Sequence, residues 1–404
     1  MTQSIAIIGG GPAGLAAADA LINKGHKITI YEAMPTPARK FLWAGKSGLN
    51  ITHAEKFETF KTRFGEVSDR LNSALDDFSS DAIQKWANDL GIETFVGSSG
   101  RVFPKAMKAS PLLRAWLNRL DQAGVELKTR HKWVGFENNK LKFETPNGSE
   151  EINADATILA LGGASYQRLG STAEWAPWLA EREVATTPFK PANCGFDVDW
   201  SEHFIERFAG APVKTVRATS DHGTVKGEFV ISKAGVEGSL IYTHSASLRN
   251  KIDTDGLASL TLDLVPGKTV EQLTKSLERQ NPKHSFSNRL RKGTRLAGVK
   301  AALVRELQPN AGKLSPNDLA NLLKNIPVEL QRTRPIDEAI SVAGGIQWAE
   351  IDANFMLTKI PSIFVAGEMI DWEAPTGGYL ITACMATGRA AGLSALNWLS
   401  ENEL

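Results

Sequence analysis

The chain has 404 residues, with 46 Lys and Arg against 45 Asp and Glu for a formal net charge of +1, and it is 42% hydrophobic and 23% charged. No global field draws such a chain to nucleic acid or a membrane; its two cysteines, Cys194 and Cys384, exclude a disulfide framework, and no apolar run is long enough to span a bilayer. The length suits two or three domains, and the start lacks a basic n-region and cleavage site, so the expectation is a soluble cytoplasmic protein with no membrane partner.

Ser4 to Ile8 reads as a short buried strand, followed at once by Gly9-x-Gly11-x-x-Gly14, with Pro12 and Ala13 inside the motif. Leu15 to Lys24 has helical spacing, Gly25 stops it, and Lys27 to Tyr31 reads as a second strand ending at Glu32, with Ala33 next. This is a βαβ unit of dinucleotide-binding type. Gly9 permits the tight turn, Gly11 lets a pyrophosphate approach the backbone, and Gly14 lets helix and strand pack closely. The helix start offers N–H groups to the phosphate, and Glu32, eighteen residues after Gly14, falls where a carboxylate accepts from a ribose.

Residues 35 to 53 leave the regular pattern. Lys40, then Gly45, Lys46, Ser47 and Gly48, then Asn50 and His53 form a loop expected to face the cofactor. Helical spacing follows over Leu75 to Leu90, an extended element over Gly100 to Pro104, and a helix over Ala109 to Gly124. Val125 to Arg130 and Lys132 to Glu144 read as strands. Ala156 to Ala160 runs into Gly162-Gly163, a second glycine turn that lacks the rest of a dinucleotide fingerprint and would return the chain beside the first.

From Thr187 the texture changes to antiparallel sheet (Val213–Thr219, Thr224–Ile231, Leu260–Leu264), and helical spacing returns over Val270 to Leu330. Residues 279 to 305 hold Arg279, Lys283, Arg289, Arg291, Lys292, Arg295, Lys300 and Arg305 with no acid, a basic segment that either faces an anion such as RNA or is a solvated helical face. The last stretch reads as a buried strand over Ile363 to Ala366, then Gly367-Glu368, then Gly377-Gly378-Tyr379-Leu380 opening a helix over Ile381 to Ala395. The expected organisation is a discontinuous first domain of residues 1–187 and 336–404, an inserted antiparallel β domain of 188–268, and a helical subdomain of 269–335. No cluster of Cys and His has metal spacing, and no nucleophile elbow or P-loop occurs.

The order GGGPAG, GRVFP, a glycine-rich strand end, PI followed by AGG, FVAGE and GGY resembles the YhiN/BaiN-like flavoproteins, the NAD(P)/FAD-dependent or aminoacetone-oxidase-family oxidoreductases, over nearly the whole chain. That resemblance implies an α/β Rossmann-type FAD-binding domain, two-part and glutathione-reductase-like, with an inserted β-rich domain and a helical portion. It implies FAD, with Gly9, Gly11 and Gly14 at the pyrophosphate, Glu32 at the adenosine ribose and Lys40 near that end. Gly45 and Asn50 would approach the flavin, Gly367 and Glu368 the ribityl-phosphate region, and Gly378, Tyr379 and Leu380 the isoalloxazine. Pro12, Ala13, Ala33, Gly162 and Gly377 complete the candidate cofactor contacts. Two departures mark a divergent branch. The family's Arg-Cys-Asn triplet is Gly48-Leu49-Asn50 here, removing any thiol chemistry, and Tyr166-Gln167 interrupts the segment after Gly162.

The chemistry so implied is reduction by NADH or NADPH followed by hydride transfer to an activated C=C bond or similar small-molecule acceptor, with Tyr379, His53 and Lys46 as candidate proton donors. Two other readings stand beside it: a flavin-dependent enzyme reducing an RNA base, favoured by the basic segment, and a flavin-binding sensor without turnover.

Overall fold

The computed structural model describes residues 2–46 and 48–402. The chain divides into two compact units, Met1–Lys190 with Ser341–Leu404, and Pro191–Ile340.

The first unit is built on a five-stranded parallel sheet. Its order is Ile363–Val365, Ala156–Leu159, β1 (Ser4–Ile8), β2 (Lys27–Glu32) and Glu126–Thr129. β1 is central, and Ile5 to Ile8 are at most 2% exposed. A strand covered on both faces needs an unbroken apolar run, which is what β1 has. Helix α1 (Pro12–Leu21) and the C-terminal helix Tyr379–Glu401 pack together. They meet backbone to backbone, since a Cβ on Gly388 would fall 2.1 Å from the Ala13 carbonyl oxygen and one on Gly392 2.9 Å from that of Ala17. The C-terminal ends of β1, Ala156–Leu159 and Ile363–Val365 lead into Gly9, Gly162 and Gly367, so three glycine turns open on one edge of the sheet. In open parallel sheets this edge is where ligands bind.

Two segments differ from expectation in this unit. The helix read over Leu75–Leu90 is two helices, Ser68–Asp77 and Ser80–Asp89. Phe78 leaves helical geometry (φ −141°, ψ 72°), and the Ser79 hydroxyl accepts from Ala82 N–H at 3.4 Å to start the second. The strand read over Lys132–Glu144 is a hairpin, Lys132–Glu137 with Lys140–Thr145. Asn138 and Asn139 both have positive φ (50° and 61°), which asparagine tolerates and a two-residue hairpin turn requires.

The second unit carries a seven-stranded sheet ordered Ile326–Leu330, Ala258–Asp263, Pro212–Ser220, Gly223–Ile231, Gly235–Glu237, Phe196–Asp197 and Arg332–Thr333. Its core joins strands and helices alike: Val213, Ile231 and Leu260 pack in one cluster with Leu273, Leu303 and Leu323. Residues 326–330, expected at the end of the helical stretch, form an edge strand instead. Ile326, Val328 and Leu330 are buried while Pro327 and Glu329 between them are exposed, a period of two, and an edge tolerates the proline.

The helix Ser239–Asp255 buries His244 completely, with Nδ1 2.7 Å from the Ser220 hydroxyl. Burial first, and then the His222 ring, centred 5.6 Å away, depress its pKa from 6.5 to about 4. The unfolded chain therefore binds one more proton than the folded chain between pH 6.5 and 4, and stability falls as pH drops through that window. At roughly 1.4 kcal/mol per pH unit the loss reaches about 3 kcal/mol. His244→Gln is expected to remove this slope, so that urea midpoints of variant and parent converge as pH falls from 7 to 4.5; parallel midpoint curves would refute the assignment. Among the described residues no helix is long and apolar enough to cross a membrane, and no group of three or more His, Cys, Asp or Glu could hold a metal ion.

Candidate functional site

Gly9 has φ +107°, and a Cβ there would lie 2.4 Å from the Ala160 carbonyl oxygen. Its N–H donates to the Tyr31 carbonyl at 2.8 Å. Gly14 sits beneath the turn, where a Cβ would meet the Gly9 carbonyl oxygen at 2.0 Å. Gly11 is the N-cap residue of α1 and nothing lies within 4 Å of its Cβ position. No side chain caps α1, so its first-turn N–H groups face a cavity opened at Gly11.

The wall of that cavity takes in Gly9, Gly11, Pro12, Ala13, Glu32, Ala33, Lys40, Gly162, Gly367 and Glu368 from the sequence-based set. Glu32 closes the glycine turn onto the end of β2: Oε2 accepts from Gly10 N–H and Oε1 from Met34 N–H, both at 2.8 Å. Burial pushes its pKa up against these two bonds and the nearby Arg39 charge. Lys40, expected near the Glu32 end, instead bonds across the cavity to the turn after the last sheet strand: its Nζ donates to Glu368 Oε2 at 2.7 Å and to Ser165 Oγ at 2.8 Å. Glu368 Oε1 is buried with no hydrogen-bond partner, and so is Trp133 Nε1 on the cavity wall.

These features fit FAD. Two carboxylates stand ready to accept from ribose and ribityl hydroxyls, one with an orphaned oxygen. The α1 N-terminus and Lys40 supply positive potential for a pyrophosphate between them. Cys384 also lines the cavity, but burial and then the Glu368 charge push its thiol far above the ordinary range, which makes it wall rather than nucleophile. Sequence reasoning missed Trp133, His131, Ser165, Leu169 and Ser171. They come from a hairpin and an irregular loop with no local motif, and only the fold carries them to the cavity.

The remaining candidates lie beyond this wall. Gly377 and Gly378 both have positive φ (144° and 93°), and a Cβ on Gly378 would fall 2.5 Å from Thr52 Cα, so the glycine pair seats the start of the C-terminal helix on the Thr52–His53 strand. Tyr379 is 5% exposed, and its hydroxyl donates to Glu55 Oε1 at 2.6 Å. Arg63 grips the same carboxylate through Nε and Nη2, at 2.9 and 2.5 Å. His53 stacks on Tyr379 with ring centroids 5.4 Å apart. Its Nδ1 accepts from Glu55 N–H at 3.1 Å, and Nε2 lies 3.0 Å from the Ser99 carbonyl oxygen, which assigns the Nε2–H tautomer. Burial and then the Glu55 bond push the Tyr379 hydroxyl well above its usual range. Burial would also raise Glu55, but the bonds from Arg63 and Tyr379 outweigh it and hold that carboxyl below the usual value.

The fold thus brings Tyr379 and His53 together, while Lys46 lies over the Trp43 indole, 4.7 Å from its centroid. Asn50 is half-buried with Oδ1 unpartnered, Gly45 packs on Ala109, and Leu380 is half-buried behind Tyr379 in the helix. Ser47 lies outside the described residues.

A model of the HI0933-like protein Rossmann domain matches residues 3–394. A 3-dehydro-bile acid delta(4,6)-reductase of Clostridium scindens is 23% identical, covering 97% of this chain and 98% of that protein. A ribosomal RNA dihydrouridine synthase of Haemophilus influenzae is 20% identical, covering 96% and 97%. Among solved structures, the 3-ketosteroid-delta4-(5alpha)-dehydrogenase of Rhodococcus jostii RHA1 shares the fold with a TM-score of 0.52 at 12% identity, over 98% of this chain and 97% of that one. The resemblance drawn from the motifs therefore holds, and the glycine turn, the acid at the end of β2 and the GE turn after the last sheet strand occupy one cavity of a chain that belongs to the HI0933-like, FAD-binding Rossmann family of oxidoreductases.

Proposed function

We propose that the protein is a reductase that oxidises NADH or NADPH and reduces an activated C=C bond, one conjugated to a carbonyl, in a small-molecule acceptor, with FAD as its resident cofactor. The observation that carries this reading is the cavity running from Glu32 past the α1 N-terminus to the Lys40–Glu368 pair, whose donors and acceptors match a dinucleotide. The bile-acid reductase among the relatives, aligned over 97% of this chain, supports a C=C acceptor. When bound, FAD supplies the hydride chemistry that no side chain provides.

The chain's own residues must position the acceptor and deliver a proton. Tyr379 holds its proton against Glu55 at 2.6 Å, and giving it up would set a phenolate beside a carboxylate. We therefore assign Tyr379 to positioning. His53 has both ring nitrogens engaged. Lys46 contacts an indole face and, among the described residues, no carboxylate, so it stands first of the three as proton source. Tyr379→Phe is expected to keep kcat within about threefold of the parent, against the 10²–10⁴-fold (roughly) that loss of a general acid removes. A hundredfold fall in kcat at unchanged KM would return Tyr379 to the proton-donor role.

The test of the proposal is the visible spectrum of the purified protein, followed anaerobically as NADH or NADPH is added. A two-banded flavin spectrum that bleaches with one nucleotide identifies the donor, and enone acceptors are then screened for reoxidation. A colourless protein that FAD does not reconstitute would overturn the reading, and a flavin that turns over with no acceptor would leave the sensor reading in its place.

A second reading has its own support. The relative named a ribosomal RNA dihydrouridine synthase aligns over 96% of this chain, and the acid-free basic segment 279–305 offers an anion surface, so uridine-containing RNA belongs in the acceptor screen.

A further inference from the structure

The basic segment is not one uniform face. Two of its eight cations turn inward: Arg289 Nη2 donates to the Gly312 carbonyl at 2.8 Å, and Lys300 Nζ donates to the carbonyls of Thr215 and Leu264 at 2.9 and 3.1 Å. Lys300 ties its helix to the sheet, and Arg289 ties its helix to the 3-10 turn Ala311–Lys313. Arg291 and Arg305 instead line a groove of about 440 Å³ between the helices Phe286–Thr294 and Gly298–Leu307, and Arg207 joins them from the helix Glu202–Phe208. Arg207 lies about 90 residues away in sequence from the other two, so the cluster exists only in the folded unit.

No acid lines this groove. Glu306, the nearest acid in sequence to Arg305, is taken by the N–H and hydroxyl of Ser201. The three guanidiniums are braced by neutral groups. Arg207 lies over the Phe208 ring at 5.3 Å, Arg305 over Phe286 at 5.7 Å with a hydrogen bond to Ser287, and Arg291 donates to Asn288 Oδ1 at 3.0 Å. Among the described residues none is in an ion pair. Three arginines from three helices, held in place yet uncompensated, form a site built for phosphate oxygens, since the planar fork matches a phosphate and keeps its charge at any working pH.

Two more observations say which phosphate-bearing ligand. The groove exceeds what a single inorganic anion fills, and the Phe208 ring on its wall lies under the Arg207 guanidinium, so the groove presents charge along its length, as a surface that tracks a nucleic-acid backbone does. The exposed Arg279, Lys283, Lys292 and Arg295 of the same segment extend the positive surface. With a net charge of only +1, the rest of the chain balances this concentration rather than sharing it. We propose that this groove binds RNA, gripping the phosphodiester backbone of a single-stranded segment through Arg207, Arg291 and Arg305. The proposal rests on the RNA reading given above and adds to it the surface that holds the substrate.

The experiment is fluorescence anisotropy of the full-length holoprotein with a 5′-fluorescein single-stranded 20-nucleotide RNA containing uridines, between 50 and 300 mM salt. The variants are R207A/R291A/R305A and the charge-keeping R207K/R291K/R305K. The alanine variant is expected to bind at least about tenfold more weakly at 100 mM salt, and its log Kd against log salt slope to shrink by about 2, near 0.7 for each phosphate no longer neutralised. The lysine variant is expected to keep the slope. An unchanged flavin spectrum and melting transition guard against misfolding, because none of these residues touches the cofactor cavity. Parent protein that binds RNA while the alanine variant binds it equally well would overturn the groove and leave the RNA reading standing. Parent protein that fails to bind RNA at any salt would overturn both.

Discussion

Gly14→Ala is expected to yield protein that purifies without FAD. A Cβ at this position falls 2.0 Å from the Gly9 carbonyl oxygen and 3.2 Å from Ile7 Cγ2. The first of these is backbone, so no rotamer change relieves it, and α1 must move away from β1. The opposite side gives no room, since Gly388 and Gly392 of the C-terminal helix already press on Ala13 and Ala17 of α1. Overpacking of this kind costs about 3 kcal/mol. Over a unit of this size that lowers the melting temperature by roughly 6–12 °C. The same displacement carries the first-turn N–H groups of α1 off the pyrophosphate position. The measurements are the ratio of flavin to protein absorbance and thermal unfolding. Gly25→Ala is the control: Gly25 has φ +85° with nothing within 4 Å of its Cβ position, so this variant loses about 1 kcal/mol and keeps its flavin. A Gly14→Ala protein with a full complement of FAD would refute the assignment of the turn.

Lys40→Met is expected to raise the Kd for FAD about 100-fold, equivalent to about 2.7 kcal/mol. Lys40 is the cation of the cavity, bonded to Glu368 and Ser165, and the Glu368 side chain is 10% exposed. Without the ammonium, a nearly buried carboxylate stands unpaired beside the place a pyrophosphate must occupy. Removing one partner of such a pair costs several kcal/mol, while removing both is often close to neutral. Lys40→Met/Glu368→Gln should therefore recover much of the affinity, although it lacks one more native group. Titration of apoprotein with FAD, followed by quenching of flavin fluorescence, measures all three proteins. Equal losses in the single and double variants would show that Lys40 acts on the phosphate alone and that its bond to Glu368 contributes nothing.

These two variants divide what was legible in the chain from what was not. The strand, glycine turn, helix, strand and terminal acid of residues 4–32 are a local pattern. Each element depends on neighbours a few positions away, so the periodicities of two and 3.6 and the glycine spacing declare it. The same holds for the FVAGE and GGY segments. Local rules failed where two neighbouring signals competed. Asn138-Asn139 reverses a run that reads as one strand, Phe78-Ser79 splits a run that reads as one helix, and residues 326–330 leave helical texture for a sheet edge.

The Rossmann core and the family were written in the residues alone, because a turn that must bring backbone to phosphate admits only glycine at set spacings. Which side chains share a site came from the packing of distant segments. Lys40 and Glu368 are 328 residues apart, Tyr379 and Glu55 324 apart, and Arg207 meets Arg291 and Arg305 only across a groove. A hydrogen bond or a shared charge field between such groups leaves no periodic trace along the chain. It arises when the sheet order and helix packing, set by burial, bring distant loops to the same edge.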